Sequence, residues 1–135
     1  MKLNHINLYS RDTESDRAMF ERYFGLHTLV VRGTTMAIMQ DEDGLVLIIN
    51  HFDRKLEGFL YPEHFDILHI GFILECREAV DTLYERLQND GKATRPPQTA
   101  HGAWSFYFRA PGGYFIEVTT LTAVRPHEAY QAPSP

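Results

Sequence analysis

The sequence predicts an α+β fold made of two βαβββ modules, and three observations lead to this prediction. A strand-like stretch, a helical stretch and three further strand-like stretches follow one another in order, and the order then repeats. A histidine occupies the same place in the first strand of each half, at His5 and His69. The 135 residues, of which 44% are hydrophobic, can bury one ordinary core and do not require a second domain.

The first module begins with residues 3–9, whose apolar and polar side chains alternate as in a strand with His5 and Asn7 on the polar face. From Asp12, apolar residues recur at helical spacing as far as Gly25, which predicts a helix of about three turns. Three more strands are then predicted at about 27–32, 34–40 and 45–50.

The second module follows the same order. Residues 67–75 alternate as a strand that contains His69, and a helix with an apolar stripe then continues to Gly91. Superposing the two histidines gives an offset of 64 residues, at which the helices and their terminal glycines roughly coincide. We interpret the two halves as an internal duplication. The remaining strands are predicted near 92–95, 103–109 and 114–119.

These patterns define a single domain over residues 1–121, with the first module at about 1–50 and the second at about 67–121. The stretch 51–66 is rich in aromatic and charged residues and is interpreted as a linker or a pocket flap. Residues 122–135 contain several prolines and no periodicity, which favours a loosely ordered tail.

Composition excludes several classes of protein. The net charge of −5, with scattered Lys and Arg, gives no basic stripe for nucleic acid. No apolar run approaches the roughly 20 residues of a membrane span, and no signal peptide is visible, so we expect a cytoplasmic protein. Cys76 is the only cysteine, and we expect it to be a small buried residue. A metal ion would therefore be held by histidine and carboxylate.

A candidate metal site follows from the carboxylate of Glu117, which lies in an otherwise apolar strand. Burying a carboxylate is costly unless a cation or hydrogen-bond donors compensate it. Together with His5 and His69, Glu117 gives a ligand set that suits Fe, Mn, Zn, Ni or Co and leaves coordination positions open for substrate. The alternative is three polar residues that are satisfied inside a metal-free pocket.

Other polar residues are candidates for chemistry or substrate binding. Ser105, Tyr107 and Arg109 share one face of their strand, opposite an apolar face, so they are candidates to line the pocket, unless this face is an ordinary solvent face. Tyr107 is expected to be catalytic, and Ser105, Arg109 and Asn7 to bind substrate. His101, in a loop beside a glycine, is a candidate general base because histidine titrates near neutrality, although a surface histidine is the simpler interpretation.

The doubled module, its two histidines and the segment Pro-Gly-Gly-Tyr-Phe-Ile-Glu ending at Glu117 resemble the vicinal oxygen chelate superfamily of glyoxalases, bleomycin resistance proteins and extradiol dioxygenases. The resemblance covers residues 1–121 and implies a cup-shaped mixed sheet around one divalent metal ion on His5, His69 and Glu117. The stretch from Ser105 to Gly113 is similar to fosfomycin-thiol transferases and to small glyoxalase-like proteins.

Two departures from these relatives narrow the expected chemistry. Glyoxalase I takes a fourth ligand from the last strand of the first module, where this chain has Ile48. Isoleucine cannot coordinate a metal, which argues against four-ligand glyoxalase I chemistry. The fosfomycin-modifying enzymes carry a loop with lysine and serine, whereas residues 95–102 contain neither, which argues against potassium-assisted phosphonate binding.

The resemblance implies a metal-dependent enzyme that chelates a small substrate through vicinal oxygens, as an isomerase, lyase or thiol transferase. One alternative is an extradiol-type Fe(II) dioxygenase, since two histidines and one carboxylate form the triad of such oxygenases. The other is a metal-free protein that binds a drug or metabolite. We expect a homodimer in which each site takes His5 from one chain and His69 and Glu117 from the other.

Overall fold

The computed structural model describes residues 1–51 and 58–120. The predicted tail at 122–135 and positions 52–57 of the predicted linker lie outside the described residues. The chain divides into two compact units, one with residues 1–63 and the turn 110–114, the other with residues 64–109 and the segment that starts at Phe115. Neither described helix is long and apolar enough to cross a membrane.

The first unit contains one complete βαβββ module. Its sheet has the order β1-β4-β3-β2, in which β1 pairs parallel with β4 and the other pairs are antiparallel. The elements are β1 (His5–Tyr9), α1 (Thr13–Phe24), β2 (His27–Arg32), β3 (Met36–Gln40) and β4 (Val46–Asn50).

The second unit repeats this topology. Its sheet has the order β5-β8-β7-β6, and β5 pairs parallel with β8. The identical connectivity confirms the predicted pair of βαβββ modules. The elements are β5 (His69–Leu74), α2 (Arg77–Asn89), β6 (Gln98–Ala100), β7 (Ala103–Arg109) and β8 (Phe115–Thr120).

Each helix packs on one face of its own sheet and leaves the other face free to carry polar side chains. Helix α1 is capped at its start by Asp12, whose side chain accepts a hydrogen bond from the Ser15 amide, and at its end by Gly25, which has a φ of 68°. Helix α2 places Tyr84 edge-on against Phe106 of β7, at 5.4 Å between ring centroids. The buried apolar residues of the helices are Met19, Phe20 and Tyr23 in α1 and Val80, Leu83, Tyr84 and Leu87 in α2.

Two local predictions are wrong. The strand predicted at 92–95 is absent, because the amides of Lys92 and Ala93 are used to close the end of α2 by donating to the Leu87 carbonyl. The strand forms only after the Pro96-Pro97 pair, as β6, and proline has no N–H to offer a ladder. Cys76 is exposed at the N-cap of α2 and is not the buried residue expected.

The turn Ala110–Tyr114, between β7 and β8, belongs to the first unit through a buried carboxylate. Asp16 of α1 has no solvent exposure and accepts hydrogen bonds from the Gly112 amide at 2.7 Å and from the Tyr114 hydroxyl at 2.8 Å. The Ser10 hydroxyl donates to the same carboxylate at 2.6 Å. Burial raises the pKa of Asp16 above its usual value although these hydrogen bonds oppose the shift, and burial followed by the Asp16 charge raises the pKa of Tyr114.

Gly112 is required by this arrangement because a side chain has no room there. A Cβ on Gly112 would lie 2.1 Å from Oδ2 of Asp16 and 2.7 Å from Oγ of Ser10. We predict that Gly112→Ala lowers the free energy of unfolding by about 2–4 kcal/mol, since the substituent must break hydrogen bonds to a buried carboxylate. Chemical denaturation would measure this loss.

The matched control is Gly71→Ala, because a Cβ on Gly71 meets nothing within 4 Å and its φ is not in the left-handed region. This variant should stay within about 1 kcal/mol of the unsubstituted protein. Equal effects of the two substitutions would show that the contacts of Asp16 do not fix the turn.

Candidate active site

The candidate site lies on the face of the second sheet that is opposite to α2. Strand β8 runs between β5 and β7, and Glu117 of β8 is paired with Gly71 on one side and with Tyr107 on the other. His69 stands two residues before Gly71 and shares its face, since side chains alternate along a strand. The strand register therefore brings His69, Glu117 and Tyr107 to one place.

The three side chains contact one another through the carboxylate. Nε2 of His69 lies 3.6 Å from Oε2 of Glu117, and the Tyr107 hydroxyl donates a hydrogen bond to that same oxygen. The His69 and Tyr107 rings meet edge-on, with centroids 5.4 Å apart. The Glu117 side chain is only 10% exposed, whereas the His69 side chain is 31% exposed. The carboxylate is thus covered by the sheet, and the imidazole reaches solvent.

The tautomer of His69 follows from the contact that its Nδ1 atom makes. Nδ1 of His69 lies 2.7 Å from the carbonyl oxygen of Phe65. A carbonyl can only accept, so Nδ1 must carry a proton, and in a neutral ring Nε2 then presents a lone pair. That lone pair faces the Glu117 carboxylate at 3.6 Å, which is too long for a direct hydrogen bond. At this distance a group placed between the two atoms can satisfy both of them, and a metal ion or a bridging water molecule is able to do so.

The pair formed by His69 and Glu117 fits a metal ion. Their 3.6 Å separation is shorter than two metal–ligand bonds of about 2.0–2.2 Å each, so one ion could contact both atoms. Gly71, beside Glu117, leaves open space on the same face, because a Cβ there would meet nothing within 4 Å. Among residues 1–51 and 58–120, no three or more His, Cys, Asp or Glu side chains cluster so as to hold a metal ion. The structure thus assembles two of the three predicted ligands.

The other candidates in this unit have different surroundings. Ser105 is buried, and its hydroxyl lies 2.6 Å from that of Thr119. Arg109 is exposed, with its guanidinium 4.9 Å from the centre of the Phe115 ring. His101 is exposed in the two-residue turn between β6 and β7, where its φ of 52° is left-handed. Asparagine, aspartate or glycine usually occupies such a hairpin turn.

The first unit carries the remaining candidates. His5 is the first residue of β1, as His69 is of β5, and its Nδ1 lies 3.1 Å from Oδ1 of Asn4. Asn7 lies two residues further on the same face, and the buried Asn50 of β4 donates a hydrogen bond to its side chain. Asn50 was missed from the sequence because only the parallel register of β1 and β4 reveals its position near Asn7.

The register also tests the predicted equivalence of Ile48 and Glu117. Ile48 pairs with Asn7, two residues after His5, and Glu117 pairs with Gly71, two residues after His69. The two positions are therefore equivalent in their modules. The first module offers an isoleucine where the second offers a carboxylate.

An aromatic cluster in the first unit was also not foreseen. Tyr61 donates a hydrogen bond to the Tyr9 carbonyl at 2.6 Å, and its ring meets those of Phe59 and Tyr114 edge-on. The His51 ring stacks on Tyr9 at 5.7 Å. Burial raises the pKa of Tyr61 to about 12, so its hydroxyl stays protonated at neutral pH. Tyr61 and Phe59 come from the predicted linker, which thus contributes packed side chains to this unit.

Comparison with known proteins defines the class. Residues 2–118 match the family model of the glyoxalase/bleomycin resistance protein/dioxygenase superfamily. The chain therefore belongs to this superfamily. A search of curated proteins found no match.

Solved structures agree with this assignment. A possible glyoxalase from Bacillus cereus is 38% identical, and the match covers 88% of this chain and 98% of that one with a TM-score of 0.77. The fosfomycin resistance protein FosX from Listeria monocytogenes is 20% identical over 97% and 98% of the two chains, with a TM-score of 0.73. A lactoylglutathione lyase from Agrobacterium tumefaciens is 17% identical over 88% and 92%, with a TM-score of 0.67. The last two share the fold.

The hydrogen bond from Tyr107 to Glu117 leads to a stability prediction. Tyr107→Phe removes a donor to a buried carboxylate, so the free energy of unfolding should fall by about 1.5–3 kcal/mol, as for hydrogen bonds to charged groups. Denaturant unfolding would measure it. The matched control is Tyr84→Phe, which removes a 3.3 Å hydrogen bond to the neutral Thr94 carbonyl and should cost about 0.5–1.5 kcal/mol. A Tyr107→Phe protein as stable as the original would contradict this role of the hydroxyl.

Proposed function

We propose that this protein is a metal-dependent glyoxalase-like enzyme that chelates a small substrate through two vicinal oxygens, as an isomerase, lyase or thiol transferase. We further propose that one divalent ion of Fe, Mn, Zn, Ni or Co is held by His69, Glu117 and His5. The observation that carries the proposal is the arrangement of His69. Its proton on Nδ1 directs the Nε2 lone pair at the Glu117 carboxylate, and metal-binding histidines are oriented in this way.

The third ligand is proposed from equivalence. His5 and His69 each begin the first strand of a module with the same topology, and that strand pairs in parallel with the last strand of its module. A bound ion in this class polarises a substrate oxygen and stabilises the negative charge that develops there. The protein's own contribution is to hold its ligands neutral or anionic and to keep coordination positions open for the substrate.

The other candidates receive roles in the same proposal. The Tyr107 hydroxyl orients the Glu117 carboxylate by donating its single proton to it, and it would have to turn away from Glu117 to donate to an oxyanion of the substrate. Arg109, Ser105 and Asn7 are proposed substrate contacts, on the basis of the strand faces that they share with the proposed ligands. His101 is proposed as the general base and, being exposed at a hairpin tip, is the weakest member of this set.

The proposal predicts that His69→Ala binds metal at least about 100-fold more weakly, since even residues behind the ligands change affinity by about 10–100-fold. The fold should persist, because the His69 side chain is not part of the apolar core. Elemental analysis of the purified protein and titration with Zn²⁺ would measure this, with circular dichroism as the check on folding.

The matched control is His27→Ala, which removes an exposed histidine from edge strand β2 and should leave metal binding unchanged. If the His69→Ala protein keeps the original metal stoichiometry, the ligand assignment is wrong. If the unsubstituted protein neither contains nor takes up metal, metal-free ligand binding becomes the better hypothesis. Iron in the purified protein would favour the dioxygenase.

We also propose a homodimer in which each site combines His5 of one chain with His69 and Glu117 of the other. Mixing His5→Ala chains with Glu117→Ala chains tests this arrangement. In a heterodimer with shared sites, one site carries both substitutions and the other is intact, so about half of the sites should bind metal. Mass spectrometry would establish that heterodimers are present. Heterodimers that bind no metal would show that each site is formed within one chain.

A further inference from the structure

Phe65 contacts the candidate site twice, once through its backbone and once through its ring. The Phe65 carbonyl lies 2.7 Å from Nδ1 of His69 and accepts its proton. The Phe65 ring stacks on the ring of Tyr107, with centroids 4.1 Å apart and an angle of 22° between the planes. Tyr107 in turn donates to Glu117. One residue outside the strands therefore contacts His69 directly and reaches Glu117 through Tyr107.

The Phe65 ring is held in place by several neighbours. His64 stacks on it at 4.8 Å, Phe115 meets it edge-on at 6.2 Å, and the guanidinium of Arg95 lies 6.0 Å from its centre. In the turn that carries Phe65, the Ile67 amide donates to the His64 carbonyl at 3.2 Å. Because the half-buried ring contacts these three side chains as well as Tyr107, and because the turn is hydrogen-bonded, the carbonyl of Phe65 is held in place relative to His69.

These contacts define what Phe65 does for the pair. The carbonyl selects the tautomer in which Nε2 of His69 is free to bind a cation, because only a ring with a proton on Nδ1 can donate to it. The stacked ring limits rotation of Tyr107 about its side-chain bonds, which keeps the hydroxyl on Glu117. The side chains of His69 and Glu117 are therefore already oriented for binding, so they lose less conformational freedom when a cation binds.

We propose that Phe65 is the positioning residue of this site, fixing the tautomer of His69 through its carbonyl and the orientation of Glu117 through the Tyr107 ring. Its effect on metal affinity rests on the proposed function. Its effect on the His69 tautomer does not, because that tautomer exists in the metal-free protein. The predicted linker thus supplies part of the site.

The experiment compares Phe65→Leu, which removes the ring, with Phe65→Tyr, which keeps it. The control is Phe24→Leu, the same change at a half-buried phenylalanine of α1 whose ring meets Phe20. The ¹⁵N chemical shifts of His69, at a pH where the ring is neutral, report the tautomer in the metal-free proteins. Titration with Zn²⁺ reports affinity. If Phe65→Leu does not fold, Phe65→Met takes its place, because the unbranched, flexible methionine side chain adapts better to the gap left by the ring.

We expect the unsubstituted protein, Phe65→Tyr and Phe24→Leu to show His69 protonated on Nδ1, and Phe65→Leu to show a mixture of tautomers. Zn²⁺ affinity should fall about 10–100-fold in Phe65→Leu and recover in Phe65→Tyr. An unchanged tautomer and affinity in Phe65→Leu, or the same losses in Phe24→Leu, would overturn the proposal. If the unsubstituted protein binds no Zn²⁺, the proposed function fails, and the tautomer comparison alone decides the role of Phe65.

Discussion

The position of β8 between β5 and β7 is the constraint on which the candidate site depends. Parallel pairing with β5 sets Glu117 beside Gly71 and within 3.6 Å of His69, and antiparallel pairing with β7 sets it beside Tyr107. A shift of either register by one residue would turn the carboxylate toward α2, because side chains alternate between the two faces of a strand. The apolar side chains on the face of the second sheet that packs against α2 enforce this register. The core between this sheet and α2 therefore specifies the site on the other face of the sheet.

Two buried carboxylates, Asp16 and Glu117, differ in how completely their surroundings satisfy them. Asp16 accepts from two hydroxyls and one amide, and Gly112 fits against it so closely that a methyl group has no space. Such a carboxylate is satisfied without a cation, and burial raises its pKa. Glu117 has a hydroxyl on one side, an imidazole nitrogen too far for a hydrogen bond on another, and open space beside Gly71. The second arrangement leaves room for an ion and its substrate.

The modules share a topology and differ where chemistry would occur. Both begin with a histidine and both pair their first and last strands in parallel, yet the position of Glu117 is taken by Ile48 in the first module. The neighbouring Asn7 is bonded to Asn50, whereas its counterpart Gly71 has no side chain. The two modules are scaffolds of one kind, and at this position only the second supplies a carboxylate. The isoleucine also explains why four-ligand glyoxalase I chemistry is not proposed.

The sequence by itself determined the fold, because alternation, helical spacing and the 64-residue repeat are local patterns that report which face of each element is apolar. It also indicated the candidate functional side chains, since His69, Glu117 and Tyr107 are polar residues inside strands. It missed the start of β6, because closing a helix and pairing a strand compete for the same amides. Only the tertiary structure decided that Phe65 sets the His69 tautomer and that Asn50 bonds Asn7. Nothing in the sequence pattern around these residues indicates which residue each of them contacts. The strand register and the packing of the aromatic rings bring them together, and both are properties of the tertiary structure.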